Sequence, residues 1–213
     1  MRTLLRVLLP LLLVGLLTAG SAAAFTQNEF TTAESLDEGM TQAGIFFTIG
    51  DLGAQDYRSL YPAFRYGLGA FFEVGLKFGV TSFDAGPEDK LGALIGLDMK
   101  YQLIKATDDI PLDLAVDLGF DTTFISGDNA SEVTFSTIVS KGFPLMDRGY
   151  KLSLYGGVEL SSMHGGSQYI PADETNVFGF AGIEWKISQK FMMIAEMKFG
   201  EEDLGGIGIN FEY

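Results

Sequence analysis

Lys190-Phe-Met-Met-Ile-Ala-Glu-Met-Lys-Phe199 and, beyond Gly200-Glu-Glu-Asp203, Leu204-Gly-Gly-Ile-Gly-Ile-Asn-Phe-Glu-Tyr213 decide how the chain reads. Both stretches alternate. Phe191, Met193, Ala195, Met197 and Phe199 share one face, with Glu196 and Lys198 on the other. Ile207, Ile209, Phe211 and Tyr213 share a face opposite Gly208, Asn210 and Glu212. A period of two is the signature of a strand, and about ten residues is the length that crosses a bilayer when tilted.

Working back through the chain, the same alternation recurs in about ten segments, the number of strands expected of a closed, even-stranded barrel. The clearest are 71–82, with Phe72, Val74, Leu76, Phe78 and Val80 against Glu73 and Lys77; 90–104, with Leu91 to Leu103 against Asp98, Lys100 and Gln102; and 110–122, with Leu112 to Phe120 against Asp113, Asp117 and Asp121. Segments 40–49, 57–66, 150–161 and 175–187 follow the pattern with blemishes. Pro62 lacks a ladder donor and points to irregular pairing. Phe178 and Phe180 fall on the charged face. Segment 132–142 shows too weak an alternation for its faces to be assigned. Aromatics gather near segment ends (Tyr57, Tyr66, Phe71, Phe83, Tyr101, Phe124, Phe143, Tyr150, Trp185, Phe191, Phe199 and Tyr213), as expected of girdles at two membrane–water boundaries.

The expectation is an all-β fold: a single closed antiparallel transmembrane β-barrel of about ten strands, after a cleaved signal peptide. Residues 1–24 read as that signal, with Arg2 and Arg6, the apolar run Val7 to Leu17, and the small-residue site Ala22-Ala23-Ala24. Residues 25–38 are polar, without a clear period, and read as a periplasmic lead-in. Residues 39–213 form the barrel. An open sheet in hydrocarbon would leave edge amides unpaired at several kcal/mol each, so the sheet must close. A soluble exported ligand-binding barrel also alternates, but with its apolar face inward. Here glycine and charges of both signs share one face, which suits a crowded polar lumen.

The 213 residues carry 14 Lys+Arg against 28 Asp+Glu, a net charge of -14, and no cysteine. An acidic chain of this kind argues against a nucleic-acid partner. Without cysteine there is no disulfide and no lipoprotein attachment site.

The C-terminal pattern, Ile207, Ile209, Phe211 and an aromatic Tyr213, resembles the terminal signature of Gram-negative outer-membrane barrel proteins. That resemblance implies Sec-dependent export, an integral place in the outer membrane, contact with its lipid and lipopolysaccharide, and, as partners, the barrel-assembly machinery and periplasmic chaperones. It says nothing about activity.

The expected lumen network is Arg65, Glu73, Lys77, Asp98, Lys100, Asp113, Asp117, Lys151, Glu159, Glu184, Glu196 and Lys198. Asp113, Asp117 and Asp121 are spaced to line a cation path or hold calcium, and the simpler reading is ion pairing with Lys77, Lys100 and Lys151. His164, the only histidine, stands beside serines near a loop, where it would suit a base for lipid acyl hydrolysis. Lipid A deacylases pair His-x-Ser, whereas this chain has His-x-x-Ser. Omptin proteases need an Asp-x-His element, and Ser162 occupies the Asp position. No catalytic residue, metal site or cofactor is therefore expected. The role implied is a structural or narrow-pore barrel passing at most small solutes, with a lipid-modifying enzyme using His164 as the alternative. Gly67-Leu-Gly69 and Gly206-Ile-Gly208 precede no helix and do not read as nucleotide loops. Asn129-Ala-Ser131 is only a formal glycosylation acceptor.

Overall fold

A computed structural model of the chain describes residues 29–52, 55–84, 89–125, 128–145, 150–164, 174–200 and 203–213. The signal peptide, the first residues of the lead-in and most of the long 162–174 loop lie outside them. Ten strands follow in order: β1 Thr41–Leu52, β2 Gln55–Gly69, β3 Phe72–Asp84, β4 Asp89–Ile104, β5 Asp113–Ile125, β6 Asp128–Leu145, β7 Tyr150–His164, β8 Glu174–Lys186, β9 Phe191–Phe199 and β10 Leu204–Glu212. Each pairs antiparallel with its chain neighbours. β1 closes the ring on β10, from Gln42↔Glu212 to Gly50↔Leu204. Where β1 meets the chain end, Thr41 and Tyr213 donate to each other's carbonyls at 3.0 and 2.8 Å.

The hairpins at the end away from the termini are tighter than expected. Strand structure runs on to Leu52 and resumes at Gln55, and runs to Ile125 and resumes at Asp128, where the sequence suggested longer loops. On β2 the ladder to β3 skips Tyr61 and Pro62, passing from Leu60↔Val80 to Ala63↔Lys77, as a proline without an N–H requires. The β2–β3 turn is left-handed at three consecutive residues, Gly69, Ala70 and Phe71 (φ 85°, 50° and 67°).

Alternation decides what each face meets. Leu97 is 56% exposed, and Leu76 and Phe211 are about 40% exposed, on the outer wall; Glu73 and Asp117 are 1% and 3% exposed, inside. Weakly patterned β6 obeys the same rule: Val133, Phe135 and Val139 point out, while Glu132, Ser136 and Ile138 point in. Two of the expected girdle aromatics do not belong to it. Tyr57 and Phe83 are fully buried inside the barrel, their rings tilted at 44° with centroids 5.6 Å apart. Both have the same strand parity as inward residues, Ser59 on β2 and Glu73 on β3, so the pleat turns them inward.

Candidate functional site in the lumen

The lumen is the place where side chains of chemical interest converge, and it is filled. At the end away from the termini, Tyr57, Phe83, Ile125, Ala130, Met163, Phe178 and Leu204 form a buried apolar layer. Nearer mid-height, Phe46, Tyr61, Leu94, Ala115, Ile138, Tyr155, Phe180 and Ile194 make a second. Phe178 and Phe180, anomalous on a charged strand face, are thus members of these layers.

The charged groups pair across the ring. Arg65 reaches Glu73 and Asp98, both at 3.0 Å, and Lys100 reaches Glu73 at 2.9 Å. Lys77 meets Asp121 at 2.7 Å, and Lys198 meets Glu159 at 2.5 Å with both side chains fully enclosed. Tyr155 donates to Glu196 at 2.9 Å. Glycine makes room for these carboxylates: a Cβ on Gly96 would fall on the Asp121 carboxylate, and one on Gly75 on that of Asp98. That is the physical reason for glycine and charge sharing one face.

Of the three spaced aspartates, only Asp121 pairs with an expected lysine. Asp113 instead accepts from Gln102 Nε2 and the Ala106 N–H, each at 2.8 Å. Asp117 Oδ2 has no hydrogen-bond partner among the described residues. Lys151 pairs with Glu34 rather than with a strand carboxylate. Glu184 is buried on the inner face of β8, and Lys186 meets Glu212 at 2.7 Å. Among the described residues no group of His, Asp and Glu has the arrangement of a metal site. His164 ends β7 as an exposed side chain, in register with Ser131, and the serine three residues on lies outside the described residues.

Residues 29–38 depart from the lead-in expectation. Rather than standing ahead of the barrel, they run into it as a strap. The Glu29 and Phe30 N–H groups donate to Glu196 at 2.8 and 2.9 Å, Ala33 N–H to Ser140 Oγ at 3.1 Å, Ser35 N–H to Gln102 at 3.1 Å, and Leu36 N–H to Glu73 at 2.8 Å. Lys100 Nζ donates to Thr31 Oγ1, Thr32 O and Glu34 O at 2.7–3.0 Å. The Phe30 ring stacks on Phe46 at 4.9 Å. A cavity of about 20 Å³ remains beside it, lined by Glu29, Phe30, Tyr61, Arg65, Asp98 and Asp117 among others. The sequence held one sign of the strap: Phe30, an aromatic in a mostly polar segment.

Charged side chains are enclosed while large apolar ones form the outer belt, the inverse of a soluble barrel, whose apolar face turns inward. This is a closed β-barrel with the exposure pattern of a membrane-spanning one. The chain has no matching family model and no matching curated sequence. It is similar to three solved structures among others. The N-terminal β-barrel domain of Pseudomonas aeruginosa OprF is 14% identical, with 84% of this chain and 100% of that one covered at a TM-score of 0.37. LpxR from Salmonella typhimurium is 9% identical, covering 81% and 98% at 0.46. The β domain of the Bordetella autotransporter BrkA is 14% identical, covering 83% and 99% at 0.46.

Burial, together with the charge of Glu159, raises the Glu29 carboxyl from its ordinary 4.5 to about 7; Lys198 and Ser136 oppose the shift. A released strap would titrate Glu29 at the ordinary value. Because the inserted state holds the proton more tightly, this contribution to insertion is complete below pH 4.5 and is lost as pH rises through 7. With Thr32→Cys as the single thiol, labelling of the strap, normalised to the unfolded chain, is expected to be on the order of a hundredfold faster at pH 8.5 than at pH 5. Glu29→Gln should flatten that profile, and a profile identical in both proteins would contradict the assignment.

Proposed function

We propose that this barrel is a sealed structural protein of the outer membrane that passes no solute at rest and performs no chemistry on lipid. The observation that carries this reading is the filled lumen. Two apolar layers, an ion-paired network and the inserted strap leave a mid-height cavity of about 20 Å³, room for about one water. Lumen width grows with strand number: porins of about sixteen to eighteen strands leave an aqueous channel, whereas small barrels have interiors that side chains can fill. Between the two expected roles, filling favours the structural one over the narrow pore.

Among the described residues His164 is given no catalytic geometry. It is exposed at a strand end, and catalysis would require a base held by an orienting partner and aimed at a nucleophile. Planar-bilayer recording of the folded protein should show no conductance steps at any polarity. Regular steps that vanish when the protein is heat-unfolded would overturn the sealed reading. In the same strain background, His164→Ala should leave the lipid A profile unchanged, and an altered profile would restore the enzyme alternative.

A further inference from the structure

Between Glu29 and Leu36 the strap is held mostly through its main chain, with side-chain contacts added by Glu29 to Ser136, Thr31 to Lys100, Glu34 to Lys151 and Ser35 to Gln102. Glu196, Ser140, Gln102 and Glu73 accept its N–H groups, and Lys100 and Arg65 donate to its carbonyls. These six groups come from five strands, β2, β3, β4, β6 and β9. Several are already fixed by one another: Glu73 binds both Arg65 and Lys100, and Tyr155 holds Glu196. The wall is therefore organised independently of the strap. Only Phe30 and Ala33 contribute side chains to the buried apolar cluster.

No strand ladder secures residues 29–38. The first ladder residue is Thr41, and Gly39 (φ 81°) turns the chain out of the lumen just before it, donating to Gly67 O at 2.9 Å. The strap also brings Glu29 against the Glu159 carboxylate, with Lys198 and Ser136 beside it, Arg65 reaching its carbonyl and Glu196 its N–H. A like-charge contact of that kind weakens the hold of a segment that no backbone ladder retains.

We propose that the half of the lumen nearest the termini is a binding site for an extended peptide, that residues 29–36 are its resident ligand, and that a free peptide of the same pattern exchanges with them. The ligand class is an extended segment with a free main chain and one aromatic residue followed three positions later by a small one. It enters from the end that holds the termini, because the apolar layer of Tyr57, Phe83 and Phe178 closes the other. That layer is untouched by exchange, so the site stands or falls separately from the sealed reading, which conductance tests.

The full chain has no cysteine, and Thr32 is buried inside the strap at 6% exposure, so Thr32→Cys reports strap release without a competing thiol. The probe is a synthetic peptide spanning residues 27–37. A tethered strap acts at an effective concentration of about a millimolar, so the peptide is titrated through the millimolar range. Occupancy by the peptide traps the strap outside, and maleimide labelling should accelerate at least fivefold and saturate. The same peptide with Phe30→Ala should leave the rate unchanged. Folding is confirmed throughout by unheated gel mobility. A rate independent of peptide concentration in the folded protein overturns the proposal, as does equal acceleration by the Phe30→Ala peptide, which would mark a nonspecific effect.

Discussion

Lys198→Met is expected to destabilise the barrel by about 3–5 kcal/mol, the usual consequence of stripping one partner from an enclosed ion pair. Lys198 and Glu159 sit 2.5 Å apart with no side-chain exposure, and neighbouring carboxylates include Glu29 and Glu196. Methionine keeps the length and apolar stem but removes the ammonium that meets Glu159 at 2.5 Å. Urea unfolding in lipid or detergent, followed by unheated gel mobility, measures the loss. The double variant Lys198→Met, Glu159→Leu removes both charges and should recover most of it, since an apolar pair of similar volume is often neutral in place of a buried ion pair. A single variant as stable as the parent would mean that water reaches the pair and screens it.

Phe30→Ala is the second large effect, and it acts on the strap rather than on the ring of strands. The ring is 3% exposed, stacks on Phe46, lies 6.5 Å from Tyr61, and lies against Gly206, where a Cβ would collide with it. Truncating a buried phenylalanine costs about 3–5 kcal/mol. Because the strap is outside the ladder, that cost should appear as release of residues 29–38 with the barrel intact. Protease sensitivity of the strap, mapped by mass spectrometry, should rise by two to three orders of magnitude, about 1.4 kcal/mol per factor of ten. Cold gel mobility should stay that of a closed barrel. Phe199→Ala, at 50% exposure on the outer wall, is the control that should leave the strap protected.

Much of the architecture was legible because a pleated strand must alternate, and the bilayer makes the alternation severe. β3, β5 and β9 read cleanly since each carries charge on one face and almost only apolar residues on the other. β6 did not, because serine and threonine occupy both faces: Ser136 and Ser140 point in, Thr137 points out, and Ile138 is an apolar residue on the inner side. Tyr57, Phe83 and Phe46 are aromatics whose strand parity is inward, and all three are buried. A rule that assigns aromatics to the membrane boundary competes there with the pleat, and the pleat wins. The pairing of Asp121 with Lys77 followed from position, whereas Asp113 found an amide instead, which depends on where the β4–β5 turn folds back. The strap left almost no pattern. Its partners are wall side chains scattered over five strands, and no sequence period reports such contacts.

The seam between β1 and β10 joins segments that lie at opposite ends of the chain. Until β10 has been delivered, β1 presents a bare row of amides and carbonyls, and every intermediate on the way has an unfinished edge. A chain in which this seam is not joined keeps two unpaired strand edges, and those would be a template for aggregation.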